Sequence, residues 1–358
     1  MASPTILLTR NQFGYQTDYF NYSKYLSKPE FNHQVINVCI DAGHPKVNAP
    51  NVEVVYVADT SSPKIVRWVK LILAGLHGLS SGHTVVVKYF PGASLLRLSR
   101  NKKNLVIDIR TLSVSPNPLR RMIQDLLCRL EVRGNDRITV VSNSIAQKLC
   151  LKNWHLLPLG ANLPISTAFS EGKDGPKIPL LVYAGTLDGR DLTTLIRGFE
   201  KASHCVEARL RIIGSGKSEH QLISLVVELG ISDKVEFLGY IPHGEEFSKL
   251  LKTSSFGIVH VPPTDYYAGQ PSTKLYEYWA HGLPVLCSNY PSGAAEIQDG
   301  TGLLYNFNSD DLRDCIVRAL KDLESFDSEK IYELALSHTW EKVVQKYLVP
   351  VLDLYCED

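Results

Sequence analysis

Short apolar runs alternate along the chain with longer stretches of helical periodicity. In the first half, TILLT (5–9), QVINVCI (34–40), VEVVYV (52–57), TVVVKY (84–89), LVIDI (105–109) and RITVVS (137–142) predict strands. In the second half, LLVYAG (180–185), LRIIG (210–214), VEFLG (235–239), FGIVHV (256–261), PVLCS (284–288) and TGLLYN (301–306) do the same. Strands alternating with helices predict parallel sheets wrapped by helices, and each set of six corresponds to one doubly wound domain. Between the sets, LPISTAFSEGKDGPKIP carries Pro, Gly, Ser and charge without periodicity. The predicted organisation is therefore a domain over 1–162, a linker over 163–179, a second domain over 180–335 and a closing helix over 336–358. In that last segment Trp340, Val343, Val344, Tyr347 and Leu348 recur at helical spacing.

One predicted helix, PKIVRWVKLILAGLHGL (63–79), has two sides of different character. Lys64, Arg67 and Lys70 fall on one side; Trp68, Leu71, Ile72, Leu76 and Leu79 fall on the other. It reads either as an amphipathic helix packed on the sheet or as a basic helix resting on an anionic membrane.

Composition narrows the class. The 358 residues are 44% hydrophobic and 21% charged, which suits two ordinary globular domains. Lys and Arg total 38 against 37 Asp and Glu, a formal charge of +1, so no nucleic-acid partner is expected. A small anionic ligand remains compatible. The first apolar run is too short for a signal-peptide core, and no segment reaches the roughly 18 apolar residues of a membrane span. The seven cysteines are scattered and form no C-x-x-C pair, as in a reduced cytoplasmic protein without structural zinc.

The richest chemistry lies in QPSTKLYEYWAHGLPVLCS (270–288). A loop enters a helix at Pro271, Ser272 and Thr273, and a Ser272 or Thr273 hydroxyl is expected to cap it. The first-turn amides and the positive dipole end would then be available to an anion, with Lys274 adding a formal charge. Glu277, one turn further in, is expected to be an exposed carboxylate able to accept two hydrogen bonds from vicinal hydroxyls, as on a ribose. The same residues also suit a plain capped helix with a solvated glutamate. GSGK (214–217) is a glycine loop that could touch phosphate or simply turn from strand to helix. The loop after the first strand has the single glycine Gly14 and no G-x-G-x-x-G, which counts against a dinucleotide oxidoreductase. Tyr15, Tyr19 and Tyr22 recur at helical spacing and offer either flat faces for a sugar acceptor or core packing.

The run P-S-T-K-L-Y-E-Y-W-A-x-G-L-P-V-L resembles the nucleotide-binding helix of glycosyltransferase family 4, retaining enzymes of the GT-B fold. LVYAGTLDGRDLTTLIRGF (181–199) is similar to the first strand and helix of that family's C-terminal domain. LRIIGSGK, VEFLGYIPHGE and SHTWEKV follow in the family's order, and ITVVSNSIAQKL and HLLPLGANL resemble the segment leading to the interdomain crossover. The resemblance implies two Rossmann-like domains facing each other across a cleft, with a C-terminal crossover helix. It implies that the second domain binds a nucleoside diphosphate sugar through Gly185, Thr186, Gly214, Tyr240, Ser272, Thr273, Leu275 and Glu277. Gly14 matches the glycine that brings the first helix near donor phosphate and acceptor.

Two positions depart from the family pattern. Gly269 stands where many members have a first glutamate, and Thr186 where many have an arginine. Arg190 is then the remaining phosphate ligand of its loop, with Lys274 beside it. No D-x-D triplet is present, so fixed cations and a helix terminus, rather than a metal, are expected to neutralise the leaving diphosphate. Asp108 and Arg110 end a strand in the expected cleft, where they serve either catalysis or a structural ion pair. Together these readings predict a retaining glycosyltransferase of cell-surface polysaccharide or glycoconjugate synthesis. Its first domain would hold a glycan or lipid-linked acceptor, with Tyr15 and Tyr19 contacting it, and the protein would be cytoplasmic and peripheral on the inner membrane face. A nucleotide-sugar epimerase and a non-catalytic sugar-binding protein are the alternatives.

Overall fold

The computed structural model describes residues 4–115, 117–164, 178–242 and 244–354. The chain divides into two units, Met1–Leu159 with Trp340–Asp358, and Gly160–Thr339. Residues 165–177, most of the predicted linker, lie outside the described residues.

Unit 1 is built on a seven-stranded sheet. Its strands are β1 (Thr5–Leu8), β2 (Val35–Asp41), β3 (Val52–Asp59), β4 (Thr84–Lys88), β5 (Leu105–Ile109), β6 (Ile138–Val140) and β7 (His155–Leu156). They lie in the order β3-β2-β1-β4-β5-β6-β7, and every pairing is parallel. Its helices are α1 (Thr17–Leu26), α2 (Lys64–Ser80), α3 (Pro118–Val132) and α4 (Asn143–Lys148). Parallel strands covered on both faces must be apolar throughout, and Leu7, Leu8, Val85 to Val87, Val106 and Ile107 are fully buried.

Unit 2 repeats the plan with six parallel strands: β8 (Leu180–Ala184), β9 (Arg209–Ile213), β10 (Val235–Gly239), β11 (Phe256–Val259), β12 (Val285–Ser288) and β13 (Gly302–Tyr305). Their order is β10-β9-β8-β11-β12-β13. The helices are α5 (Leu192–Ser203), α6 (Glu219–Glu228), α7 (Glu245–Lys252), α8 (Thr273–Trp279), α9 (Pro291–Ala294), α10 (Ser309–Lys321) and α11 (Ser328–Leu336). Leu195, Phe199, Leu210, Phe256, Leu286 and Ile316 form part of one core under this sheet. All twelve predicted strands form, with ends displaced by at most two residues. β7 was not predicted, because two residues leave no readable period.

α2 packs on the sheet through Leu71, Ile72 and Leu79, as its apolar side predicts. Gly75 and Gly78 let it lie close: a Cβ on Gly78 would stand 2.3 Å from the Ile6 side chain. The helix beginning at Trp340 belongs to unit 1 rather than to the domain that precedes it. Trp340, Val343, Val344 and Leu348 are buried, and Trp340 meets Tyr22 of α1 edge-on at 5.7 Å. A π turn over Val344–Leu348 precedes Pro350, which has no N–H to continue the α ladder.

Arg137 holds this segment. The residue is 2% exposed, and its guanidinium donates to the carbonyls of Val351 and Leu352, and to Lys103 O over 3.2 Å. Arg137→Met is expected to orphan those carbonyls at a cost of roughly 1–3 kcal/mol each. Urea unfolding of the variant should show a lower midpoint, and hydrogen exchange should show faster opening of 340–354. An unchanged midpoint would mean that the tail docks through its apolar contacts alone.

Candidate functional site

In unit 2, β8 and β11 are neighbours, yet β8 connects onward to β9 and β11 to β12 on the other side. In doubly wound sheets such a reversal leaves a crevice at the carboxyl ends of the two strands, where ligands bind. The loops that border it are 185–191 after β8 and 260–272 after β11, the latter leading into α8.

The first loop is held by several bonds. Tyr183 Oη donates to Thr186 O over 2.7 Å, and the Gly185 amide donates to Ile213 O over 2.9 Å. Asp188 accepts from the amides of Lys217 and Ser218, each at 3.0 Å, and from the Ser218 hydroxyl at 2.9 Å. Those amides, Lys217 first, hold the Asp188 carboxyl below the usual carboxylate range. Two amides at the end of the GSGK loop are thus already bonded to Asp188, and Gly214 sits in a packed turn. Gly214 has φ +151, and a Cβ there would fall 1.8 Å from Gly185 O.

Arg190 stands at the end of this loop between two left-handed residues, Gly189 (φ 70) and Asp191 (φ 51). Its guanidinium lies over the Tyr267 ring, 4.5 Å from the centroid. Tyr267 Oη in turn lies 3.5 Å from Gly189 O. The ring thus joins the two loops of the crevice. Thr186 is exposed, as is Tyr240 after β10.

α8 differs from its predicted form. Ser272 occupies the cap position with extended φ and ψ, but no side-chain cap bond is made there. Leu275, Tyr276, Glu277, Tyr278 and Trp279 are all buried, so α8 is a buried helix. The Leu275 side chain is in the core and its amide donates to Ser272 O over 3.3 Å. Glu277 is 7% exposed and pairs with Lys274 at 2.6 Å, which corrects the expected solvated carboxylate. Lys274 also rests on the Phe247 ring at 5.0 Å. His281 completes the support: Nδ1 bonds Glu277 O at 2.7 Å and Nε2 bonds Ser248 Oγ at 2.9 Å.

The candidates in unit 1 separate into interior and surface. Tyr19 and Tyr22 are 1% and 0% exposed, so Tyr19 is corrected from an acceptor contact to a core residue of α1. Tyr15 is partly exposed, stacks on His44 at 4.5 Å and donates to Pro45 O over 3.0 Å. Gly14 has φ +89, and a Cβ there would stand 2.7 Å from Val47, which explains the glycine by packing. Asp108 is fully buried and accepts from Thr139 Oγ1 over 2.8 Å. Burial pushes its carboxyl upward, while the Arg110 guanidinium opposes this. Arg110 bonds Asp18 at 2.8 Å and Leu157 O at 2.5 Å. Asp108 and Arg110, expected to serve either catalysis or a structural ion pair, form an interior network tying β5 to α1.

Sequence reading missed Tyr267 and the buried His260 at the end of β11. Tyr267 lies in an irregular loop, and a lone histidine after an apolar strand carries no periodic signal. Among the described residues, no three His, Cys, Asp or Glu side chains gather where a metal ion could sit.

Comparison with known proteins bears on this same unit. Residues 178–322 match the family described as Glycosyl transferases group 1. The matched residues lie within unit 2. A curated relative from Campylobacter jejuni is N-acetylgalactosamine-N,N'-diacetylbacillosaminyl-diphospho-undecaprenol 4-alpha-N-acetylgalactosaminyltransferase. It is 28% identical over 137 residues, 37% of this chain and 35% of that protein, so the match spans about a third of the relative's length. Among solved structures, WaaG, a glycosyltransferase involved in lipopolysaccharide biosynthesis, superposes with TM-score 0.70 at 16% identity, covering 99% of this chain and 100% of that one. HepE of Anabaena, in complex with UDP and glucose, superposes with TM-score 0.75 at 10% identity, with coverage of 99% and 100%. The fold is GT-B, with two Rossmann-like units.

The contact between Gly214 and Gly185 is open to test. Gly214→Ala must push the two loops apart, because the nearest atom is backbone rather than a flexible side chain. A loss of about 1–3 kcal/mol is expected, read as a lower melting temperature. A variant that melts like the wild type would show that the turn has room to relax.

Proposed function

We propose that this chain transfers a sugar from a nucleoside diphosphate sugar to a glycan or lipid-linked acceptor, with retention, in cell-surface polysaccharide or glycoconjugate synthesis. The observation that carries this reading is Arg190, stacked on Tyr267 at the crevice between β8 and β11, with the Lys274–Glu277 pair on the helix that follows. Expelling a nucleoside diphosphate requires that its growing negative charge be neutralised. In this proposal Arg190 and Lys274 supply that charge, and the amides around Ser272 and Thr273 bind the diphosphate without a metal. Glu277 accepts from the ribose hydroxyls, with Lys274 fixing its orientation. Unit 1 takes the acceptor, with Tyr15 as an exposed ring. An epimerase on the same fold would convert the nucleotide sugar with no acceptor present, so product analysis with and without acceptor distinguishes the two.

The nucleotide site is tested by calorimetric titration of several nucleoside diphosphates, UDP among them. Each charged hydrogen bond contributes roughly 1.5–3 kcal/mol, so Glu277→Ala should weaken binding about ten- to a thousand-fold. Glu277→Gln should fall between. Because Glu277 is buried and paired, a melting curve must accompany each variant. Wild-type affinity in a folded Glu277→Ala protein would defeat the reading, and collapse of wild-type binding in EDTA would defeat its metal-free form.

The finer proposal is that unit 1 rests on an anionic membrane surface. Among the described residues no helix is long and apolar enough to cross a membrane. Instead, α2 exposes Ile65, Val69 and Leu73, and α3 exposes Leu119, Met122, Ile123, Leu126 and Leu130. The 3-10 turn Ala93–Leu98 touches both helices and exposes Leu98. Between Asp59 and Asp108 the sequence has no acidic residue but eight basic ones. Apolar side chains exposed beside unpaired positive charge suit an anionic lipid surface, where each cation contributes about 1 kcal/mol. The protein should float with anionic vesicles, less so as salt rises. Lys64→Glu/Lys70→Glu/Arg120→Glu and Leu126→Asp/Leu130→Asp should each reduce flotation. Unchanged flotation in both would sink the membrane proposal.

A further inference from the structure

His260 closes β11 at its carboxyl end and belongs to none of the motifs that suggested a nucleotide site. It is 2% exposed, stacked on Phe307 at 4.4 Å and nearly parallel to the Tyr305 ring at 6.0 Å. Tyr305 Oη lies 2.5 Å from Nδ1, and Nε2 lies 3.1 Å from the Asp191 carbonyl. A carbonyl only accepts, so Nε2–H must donate, and Nδ1 is left to accept from the tyrosine. Burial pushes the imidazole down to about 4, which keeps this neutral tautomer in place near neutral pH.

The carbonyl that His260 holds belongs to the residue directly after Arg190. Asp191 is left-handed although it is not glycine, and Gly189, on the other side of Arg190, is left-handed too. Such a backbone persists where its surroundings over-determine it. The bonds from Tyr183, from the 217–218 amides and from Tyr267 act on Thr186, Asp188 and Gly189, all before Arg190. The His260 bond acts after it, from the neighbouring strand across the switch point. Without it Asp191 would still be tied to Thr194 of α5, whose amide donates to the same carbonyl over 3.1 Å and whose hydroxyl donates to Oδ2 over 2.7 Å, but its tie to the end of β11 would be lost, loosening the backbone that aims the guanidinium at the crevice.

We propose that His260 is a positioning residue: through the Asp191 carbonyl it fixes the backbone that aims Arg190 at the donor diphosphate. The proposal rests on the donor-binding reading of unit 2. It assigns the histidine no proton transfer and no contact with the ligand. Tyr305 shares the role at one remove, because its hydroxyl donates to Nδ1 and holds the ring in the tautomer that the carbonyl requires.

His260→Phe keeps a flat ring between Tyr305 and Phe307 but removes the donor; His260→Gln restores an N–H that can reach Asp191. Without ligand, amide exchange over Gly189–Leu192 should accelerate in His260→Phe and return toward wild type in His260→Gln. With ligand, the preference for UDP over UMP reports on the contact to the outer phosphate. That preference should fall about tenfold in His260→Phe, the effect of one weakened charged hydrogen bond, while UMP affinity stays within about twofold. Adding Arg190→Ala to His260→Phe should lower it little further, because the two changes disable one contact. A His260→Phe protein that melts lower but keeps both the wild-type exchange and the wild-type preference would overturn the proposal and leave His260 as packing. Wild-type protein that binds neither nucleotide would defeat the donor-binding reading and with it the role of His260 at a ligand. The exchange result would still decide whether His260 holds the loop.

Discussion

β8 and β11 lie side by side at the centre of the second sheet, yet the chain leaves them in opposite directions. Both are buried on both faces, so their carboxyl ends are where backbone and side chains can still meet a ligand. Everything of chemical interest in unit 2 follows from that reversal. The loops after β8 and β11 border the same crevice, and the Tyr267 ring joins them by lying beneath Arg190 and against Gly189. Gly214 permits this approach, since another residue's Cβ there would collide with the Gly185 carbonyl.

Charge is handled differently in the two units. In unit 1, Arg110 is sunk between Asp18 and Asp108, and its bonds to Asp18 and to Leu157 O tie β5 to α1 and to the segment after β7. A buried network of this kind is sensitive to the loss of any member, because the remaining charges would lack partners. In unit 2 the cations stay nearer the surface. Arg190 is stacked on the Tyr267 ring, and Lys274 pairs with Glu277 while lying over Phe247. Positive charge held by rings and loops remains available to an anion in a way that Arg110 does not.

The surface of unit 1 shows a further division of labour. α2 buries Leu71, Ile72 and Leu79 against the sheet, yet carries a second apolar row of Ile65, Val69 and Leu73 facing outward. α3 has only Cys128 and Val132 buried. Its leucines are therefore not a core-facing stripe, although their spacing looks like one. Periodicity reveals that a helix has an apolar side; what lies over that side is a matter of the neighbouring chain.

Strand positions, the parallel class and the two-unit plan were legible from runs of apolar residues alone, because a buried parallel strand has few other compositions available to it. The motif around Pro271 to Ser288 also located α8 and drew attention to Lys274 and Glu277. Burial was not legible. Nothing in the order of residues distinguishes Tyr15, whose ring is partly exposed, from Tyr19, which is enclosed by its own unit. Nor does it show that the GSGK amides are already taken by Asp188, or that His260 reaches the carbonyl beside Arg190. Those pairings join residues 29, 30 and 69 positions apart. Local pattern governs what a segment becomes; only the packed sheet decides which distant donor finds which acceptor.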